Sequence, residues 1–462
     1  MILGGAMSKR LRDPVHGLII FDESDPLGID LLAWSLIDTP EFQRLQRIRQ
    51  LGVSEFTFPG ATHTRFAHSI GVFHVARSLV KIIEREMKRN QQRFNEGKAK
   101  VSLIAALLHD IGHGPFSHTF EEVQISREVR KRHEQWTADI IRNSKGAIAP
   151  LLDDFESGMT EKVASLFECE DPDDIYHAVV SSSFDADRLD YLRRDKLMTG
   201  TGAGAIDFDW LMDNVRVADI EIDPPDEDGR EARRIPTFCL EKKALPAAEQ
   251  FLLARYTLHQ QVYFHKATRC AEHMIGKLLR EIATLAAKGK AHAKKTGLLA
   301  GHPLLRFFGT DGDTVENYLA LDDTVVFGSL DALVLADNAV ISAMAKRLRD
   351  RRLYKTLDLV EFGDDAGKQG ACLRQIQKKI VEGKFSKEVI VDKNAAVGLY
   401  AEIGGDVERM HKKLHVLDGG EPKEISTLSE IIKALPAKRQ FTRIYFETGA
   451  DRDNVRLRGE KK

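Results

Sequence analysis

The sequence predicts a mainly α-helical fold with a small mixed α/β unit at its C-terminal end, and three patterns carry that prediction. Most of residues 31–280 place apolar side chains at helical spacing, as in Ile70, Val72, Phe73, Val75, Ala76, Leu79 and Val80. One stretch breaks this rule. Val215-Arg-Val217 and Pro236-Thr-Phe-Cys-Leu240 flank a turn-rich, acidic-to-basic excursion at residues 221–234 and are expected to pair as a hairpin inserted on the helical core. Beyond about residue 300, Val389-Ile-Val391, His415-Val-Leu417 and Thr442-Arg-Ile-Tyr-Phe446 read as short strands among further helices.

Along the chain, the start Met1 to Arg10 lacks the charged-then-apolar order of a secretory signal. Arg12-Asp-Pro-Val-His-Gly17 and Ile37-Asp-Thr-Pro40 set turns at the edge of the fold before an amphipathic helix. Phe56-Thr-Phe58 reads as a short extended piece ending at Pro59-Gly60, and residues 90–97 as a loop between two helices. In the second of these, Ala105, Ala106, Leu107 and Leu108 favour a helix that would carry His109 and His113 one turn apart, until Gly112, Gly114 and Pro115 end it. Residues 168–174 form a polar break, and Phe251 to Lys266 reads as one helix. Three regions follow: an N-terminal segment and regulatory edge at 1–50, a helical core at 51–300 carrying the hairpin near 215–240, and a mixed helix and strand region at 301–462 expected to serve subunit contacts.

Composition narrows the function classes. A chain of 462 residues can bury a large core, and 43% hydrophobic with 30% charged residues fits a soluble globular protein. The formal charge of -2 provides no global cationic field for DNA or RNA, although Arg130-Lys-Arg132 and Lys288 to Lys295 are local basic runs able to meet phosphate. The four cysteines form no CxxC pair, which argues against a disulfide framework or a structural zinc cluster and fits a reducing cytoplasm. No transmembrane run is expected.

The chemistry concentrates in Ala106-Leu-Leu-His-Asp-Ile-Gly-His-Gly-Pro-Phe-Ser-His118, where three histidines and one aspartate fall in a short segment with apolar support. Adjacent helical side chains diverge by about 100°, so His109 and Asp110 can share an ion only over a helix edge. Further ligands must come from elsewhere. His68, in Thr62-His-Thr-Arg-Phe-Ala-His-Ser-Ile-Gly71, is the upstream candidate, with Arg65 three residues earlier able to clamp phosphate. Asp187, in Phe184-Asp-Ala-Asp-Arg-Leu-Asp-Tyr-Leu-Arg-Arg-Asp195, is the downstream one, on a stripe with Tyr191 and Arg194. His68, His109, Asp110 and Asp187 thus form the candidate metal set. A second stripe, Arg255, His259, Tyr263 and Lys266, could lay donors along a chain of phosphates. Other histidines, among them His63 and His74, need no ligand role.

This H...HD...D pattern resembles the HD-domain phosphohydrolases. Leu11-Arg-Asp-Pro-Val-His-Gly17, Phe42-Gln-Arg-Leu45, Phe58-Pro-Gly60, Arg65-Phe-Ala-His68 and His109 to His118 resemble the deoxynucleoside triphosphate triphosphohydrolase branch, over residues 9 to 275. The resemblance implies an HD-domain helical core, one divalent metal per active site (Mn, Mg, Fe, Ni, Co or Zn), and hydrolysis of deoxynucleoside triphosphates to deoxynucleoside and triphosphate. It implies His113 and His118 as active-site residues beside the metal, Glu121 paired to a histidine, and His133 as general acid. It also implies substrate contacts at Gln50, Leu51, Arg65, Arg188, Tyr191, Asp195, Arg255, Tyr263 and Lys266, with His259 and His265 nearby. Relatives that assemble as tetramers bind an activating nucleotide around positions matching Asp13, Val15, Asp38 and Gln43. Gln46 and Gln260-Gln261 stand here where such relatives can carry basic residues, which weakens the match. A homo-dimer or homo-tetramer is expected. The alternatives are an HD phosphohydrolase acting on nucleoside monophosphates or signalling nucleotides, and a nucleotide- or RNA-binding regulator.

Overall fold

The helix Arg65–Arg89 is the spine of the molecule, burying residues from Ile70 to Ile83 and packing against the helices Glu96–Leu108 and Ala186–Thr199. The structure, a computed structural model, describes residues 8–169, 174–202, 206–223, 233–362, 366–385, 388–397, 410–435 and 439–459. By length and apolarity the spine helix could cross a membrane, which the sequence reading did not anticipate. Two-thirds of its most apolar window is buried inside the protein, so its apolarity is that of a core helix. Gly71 is what allows the close approach of Ala186–Thr199: a Cβ there would collide with Asp190 and Arg194.

Local signals set the helix ends that matter for the site. Asn95 and Asp185 accept N-capping hydrogen bonds from the amides of Lys98 and Arg188, and the second cap fixes Asp187 in the first turn of its helix. Helix Glu96–Leu108 stops before His109, earlier than the continuous helix predicted from its alanines and leucines. Gly112 lies so close to helix His133–Arg142 that a Cβ would strike the His133 carbonyl and Thr137, and its amide donates to Thr137 Oγ1. This tertiary contact overrides the local helix preference. Phe116 and Ser117 then take positive φ values of 55° and 50°, turning the chain into helix His118–Ser126.

Nine strands are named among the described residues. The first two, β1 (Ser8–Asp13) and β2 (Gly17–Asp22), form an antiparallel hairpin at the edge of the core. The pairing expected near 215–240 is present, as β3 (Val215–Asp223) antiparallel to β4 (Arg233–Glu241), while residues 224–232 of the excursion lie outside the described residues. The hairpin does not stand alone. It continues into a sheet of order β3-β4-β7-β8, in which β7 (His415–Asp418) runs parallel to β4 and antiparallel to β8 (Glu421–Glu424). A second sheet, β5-β9-β6, joins Lys355–Asp358, Arg439–Phe446 and Val389–Val397 over a small core of Leu357, Leu359, Ile376, Ile444 and Phe446. The main core runs from Ile19 to Tyr445 and includes Phe307, Phe308, Tyr318 and Leu333, so residues beyond 300 share it with the helices that carry the site.

Candidate metal centre

His68, His109 and Asp110 bring one ligand atom each to within 4.8 Å of one another, from the spine helix and from the end of helix Glu96–Leu108. His109, the first residue past the helix, keeps helical backbone angles, φ -56° and ψ -31°, so it and Asp110 meet over the helix edge, as adjacent helical residues must to share an ion. His109 Nδ1 donates to the Ala106 carbonyl at 2.9 Å, which fixes the ring and turns Nε2 toward the site. His68 Nδ1 is backed by Asp190 Oδ2 at 2.7 Å in the same manner. Asp187 Oδ1 completes the cluster, 2.9 Å from His68 Nε2 and 3.9 Å from His109 Nε2.

The donor set fits a divalent ion. His109 Nε2 and Asp110 Oδ2 are buried without hydrogen-bond partners, a costly state unless a cation satisfies them. Two imidazoles with carboxylates suit several first-row metals and magnesium alike, and the cluster is suited to one divalent ion. Burial alone would raise Asp110, but Arg65 and the neighbouring imidazoles hold its carboxyl well below the usual range. Burial likewise opposes the charged form of His68. Asp187 on Nε2 and Asp190 on Nδ1 prevail, pushing His68 up to about 10 in the metal-free protein, so metal binding there must displace a proton.

With this geometry in hand, kinship is informative. An HD domain matches residues 65–194 and an HD associated region matches residues 234–297. An uncharacterized protein of Bacillus subtilis, YwfO, is 30% identical over 438 residues, 94% of this chain and 90% of its own. This chain belongs to the HD-domain phosphohydrolases. It is related to the SAMHD1 group: the human deoxynucleoside triphosphate triphosphohydrolase SAMHD1 is 28% identical over 381 residues, and the matched part spans 54% of that protein. The crystal structure of a phosphohydrolase from Bacteroides thetaiotaomicron superposes with a TM-score of 0.68 at 26% identity, covering 95% of this chain and 100% of that one.

On the far side of Asp110 the HD centre holds a second histidine group. Glu121 receives His118 Nδ1 at 3.0 Å on one oxygen, and His133 Nδ1 at 2.7 Å on the other. Burial would push Glu121 up, yet hydrogen bonds from both imidazoles hold it far below the carboxylate range. For His133 burial works against the charge, but Glu121 reverses it and the pKa is raised, giving an imidazolium with acid character. His113 stacks on His133 at 4.0 Å between centroids, with Nε2 3.2 Å from Asp110 Oδ1. Burial, Arg65 and His133 depress His113 well below its ordinary value, so it is neutral.

The remaining predicted residues fall into distinct places. Arg65 is buried and engaged inside the protein, by Nη1 with Asp110 at 2.6 Å and by Nη2 with Ser117 Oγ at 2.7 Å. Tyr191 and Tyr263 sit edge to face at 6.2 Å, and the charges of Arg188 and Arg255 act on both Tyr191 and buried His259. Tyr263 donates to Asp195 Oδ2 at 2.6 Å, while Gln50 Oε1 is buried without a partner and Leu51 is half-buried against the core. The stripe predicted from Arg255 to Lys266 is corrected by the structure. Helix Leu245–Leu258 ends in a π-helical turn, His259–Tyr263, whose i→i+5 bonding puts more residues in the turn and shifts the phase. His265 caps a new helix, Lys266–Ala287, through an Ala267 amide hydrogen bond, and Lys266 is exposed at its start.

At the N-terminal edge, Asp13 is an internal anchor. One oxygen accepts the amides of Val15 and His16 and the other meets Arg194 Nη1 at 2.7 Å. Asp38 is exposed, and Gln43 donates to the Ile37 carbonyl. Sequence reasoning missed the supports. His16 Nε2 lies 2.5 Å from Asp190, which Arg194 also grips, and His63 Nε2 lies 2.8 Å from Asp195. Asp190 was findable as the residue three after Asp187 and four before Arg194, but nothing local marked His16, 174 positions away.

Proposed function

We propose that this protein hydrolyses deoxynucleoside triphosphates to deoxynucleoside and intact triphosphate. The observation that carries this reading is the pairing of two unlike groups across Asp110, ligand atoms on one side and the Glu121–His133 acid on the other. His68, His109, Asp110 and Asp187 would hold the ion. When bound, the ion supplies polarisation of a phosphoryl oxygen for attack at the alpha phosphorus. The chain's own residues do the rest. His133, kept protonated by Glu121 on Nδ1, presents Nε2 as donor to the leaving 5′ oxygen, and neutral His113 stacks on it to hold the ring. Arg188 and Arg255 neutralise phosphate charge, with Tyr191 beside them. Asp195, Tyr263, Gln50 and Leu51 form the sugar and base side, where Gln50 Oε1 awaits a donor.

The names of curated relatives, which describe deoxynucleoside triphosphate triphosphohydrolases in three mammals, support the same substrate class. The test is turnover by the metal-loaded protein with each deoxynucleoside triphosphate, alone and in pairs, with products separated. Deoxynucleoside and triphosphate are expected in equimolar amounts. Inorganic phosphate from a nucleoside monophosphate, with triphosphates untouched, would overturn the substrate assignment. The pairwise arm reads activation: a second nucleotide that accelerates the first would show an effector, for which the edge around Asp13, Val15, Asp38 and Gln43 is the proposed place.

A further inference from the structure

Three consecutive carbonyls of the His109–His118 segment are each held from outside it. Arg44 Nη1 donates to Ile111 O at 3.2 Å and Nη2 to His113 O at 2.8 Å, and Tyr318 Oη donates to Gly112 O at 2.6 Å. The Phe116 amide donates to Asp323 Oδ1 at 2.8 Å. The two sources of these contacts are themselves joined, by Arg44 Nε to Leu321 O at 2.7 Å, Arg47 Nε to Asp322 Oδ2 at 2.6 Å, and the Arg49 amide to Asp323 Oδ2 at 2.8 Å. Tyr318 is fixed in turn, stacked on Trp136 at 4.0 Å and 7°, with the Arg44 guanidinium over its ring at 5.3 Å. Arg44, Tyr318 and Asp323 are all buried.

Burying a guanidinium and a carboxyl is expensive, and apolar side chains would fill the same volume at lower cost. Polar groups here do what apolar ones cannot. The carbonyls of a buried turn need partners just as those of a helix end do, and directed donors fix where each one points, hence where the flanking side chains emerge.

From this geometry we propose that Arg44, Tyr318 and Asp323 are positioning residues, which set the backbone of His109, Asp110 and His113 in the arrangement the metal requires. The site is then incomplete without residues 318–323, a segment that sequence alone assigned to subunit contacts. The proposal rests on the reading of His68, His109 and Asp110 as a metal centre, and acts only through it.

The experiment is Mn2+ titration calorimetry on the full-length, chelator-stripped protein. Tyr318→Phe keeps the stack on Trp136 and removes only the donor to Gly112. It is expected to weaken Mn2+ binding by about 10-fold, the scale of an outer-shell loss, and to lower kcat more than it changes KM for the triphosphate substrate. Leu333→Ala, in the shared core, controls for stability: it should lower Tm while leaving Mn2+ affinity as in the wild type. Asp323→Asn is the second variant, expected to weaken Mn2+ binding in the same direction should Tyr318→Phe not fold. Wild-type affinity in the folded variants would overturn the positioning role alone. Failure of the unmodified protein to bind Mn2+ would overturn the metal centre as well.

Discussion

The two histidine groups on either side of Asp110 are built differently. His68 and His109 are each tied at Nδ1, to Asp190 and to a main-chain carbonyl, so each presents a fixed Nε2 to the same point. His118 and His133 share one carboxylate, Glu121, and keep partial exposure, with 41% and 23% of their side chains accessible. The lesson is that burial and the partner together, more than the imidazole, assign the role, since His68 and His133 both have a carboxylate at Nδ1 but only His68 is fully buried. A rigid acceptor behind a buried ring makes a ligand, and a carboxylate beside a solvent-facing ring makes a proton donor.

The sharpest way to break this comparison is at Asp190. Asp190→Asn leaves the shape but removes the charge behind His68, and should reduce Mn2+ affinity by about 10- to 100-fold, read by titration calorimetry. Unchanged affinity would mean that packing alone orients the ring. On the other side, Glu121→Gln should lower kcat by roughly 100-fold, within the range of general acid catalysis, with metal content unaltered. The pH profile gives the sign. His133 acts while protonated, so activity is lost as pH rises through its raised pKa, and removing Glu121 should move that alkaline limb to lower pH. A limb that stays in place would assign the acid to another group.

How much of this was legible in the chain follows from the range of each interaction. The helical core could be read because apolar period is a local signal, and the meeting of His68 with His109 and Asp110 because their residue types match a known pattern, with Asp187 lying 2.9 Å from His68 Nε2. The early end of the Glu96–Leu108 helix could not, since it depends on Gly112 pressing against Thr137. Lys266 was read onto the wrong stripe because a π turn adds a residue that a fixed period of 3.6 cannot register. His16, Tyr318 and Asp323 left no trace, being joined to the site only across 174 or more residues of chain.

A smaller effect concerns the segment that links the two groups. Burial pushes Asp323 up to about 7, against the Arg49 and Phe116 amides and the charge of Arg65. A carboxyl raised in the folded state favours folding fully below its unfolded pKa near 4, and that contribution is lost as pH climbs toward 7. Stability measured by denaturant unfolding should therefore decline from pH 4 to 7 by up to a few kcal/mol, and Asp323→Asn should flatten that slope. An equal slope in the variant would trace it to other carboxyls.

The least costly change should be at His118, and that expectation separates sharing a carboxylate from acting through it. His118 meets Glu121 on the oxygen that His133 does not use, and it is the more exposed of the pair. Its loss therefore leaves the Glu121–His133 contact in place and removes only one of the two imidazoles hydrogen-bonded to the carboxylate. With one partner fewer, Glu121 interacts more strongly with His133, so the alkaline limb of activity should hold or shift upward in His118→Asn. The expected fall in kcat is only a few-fold, below the contribution of a full general acid. A loss as large as that of Glu121→Gln, with the limb unmoved, would instead make His118 the proton donor and His133 its support.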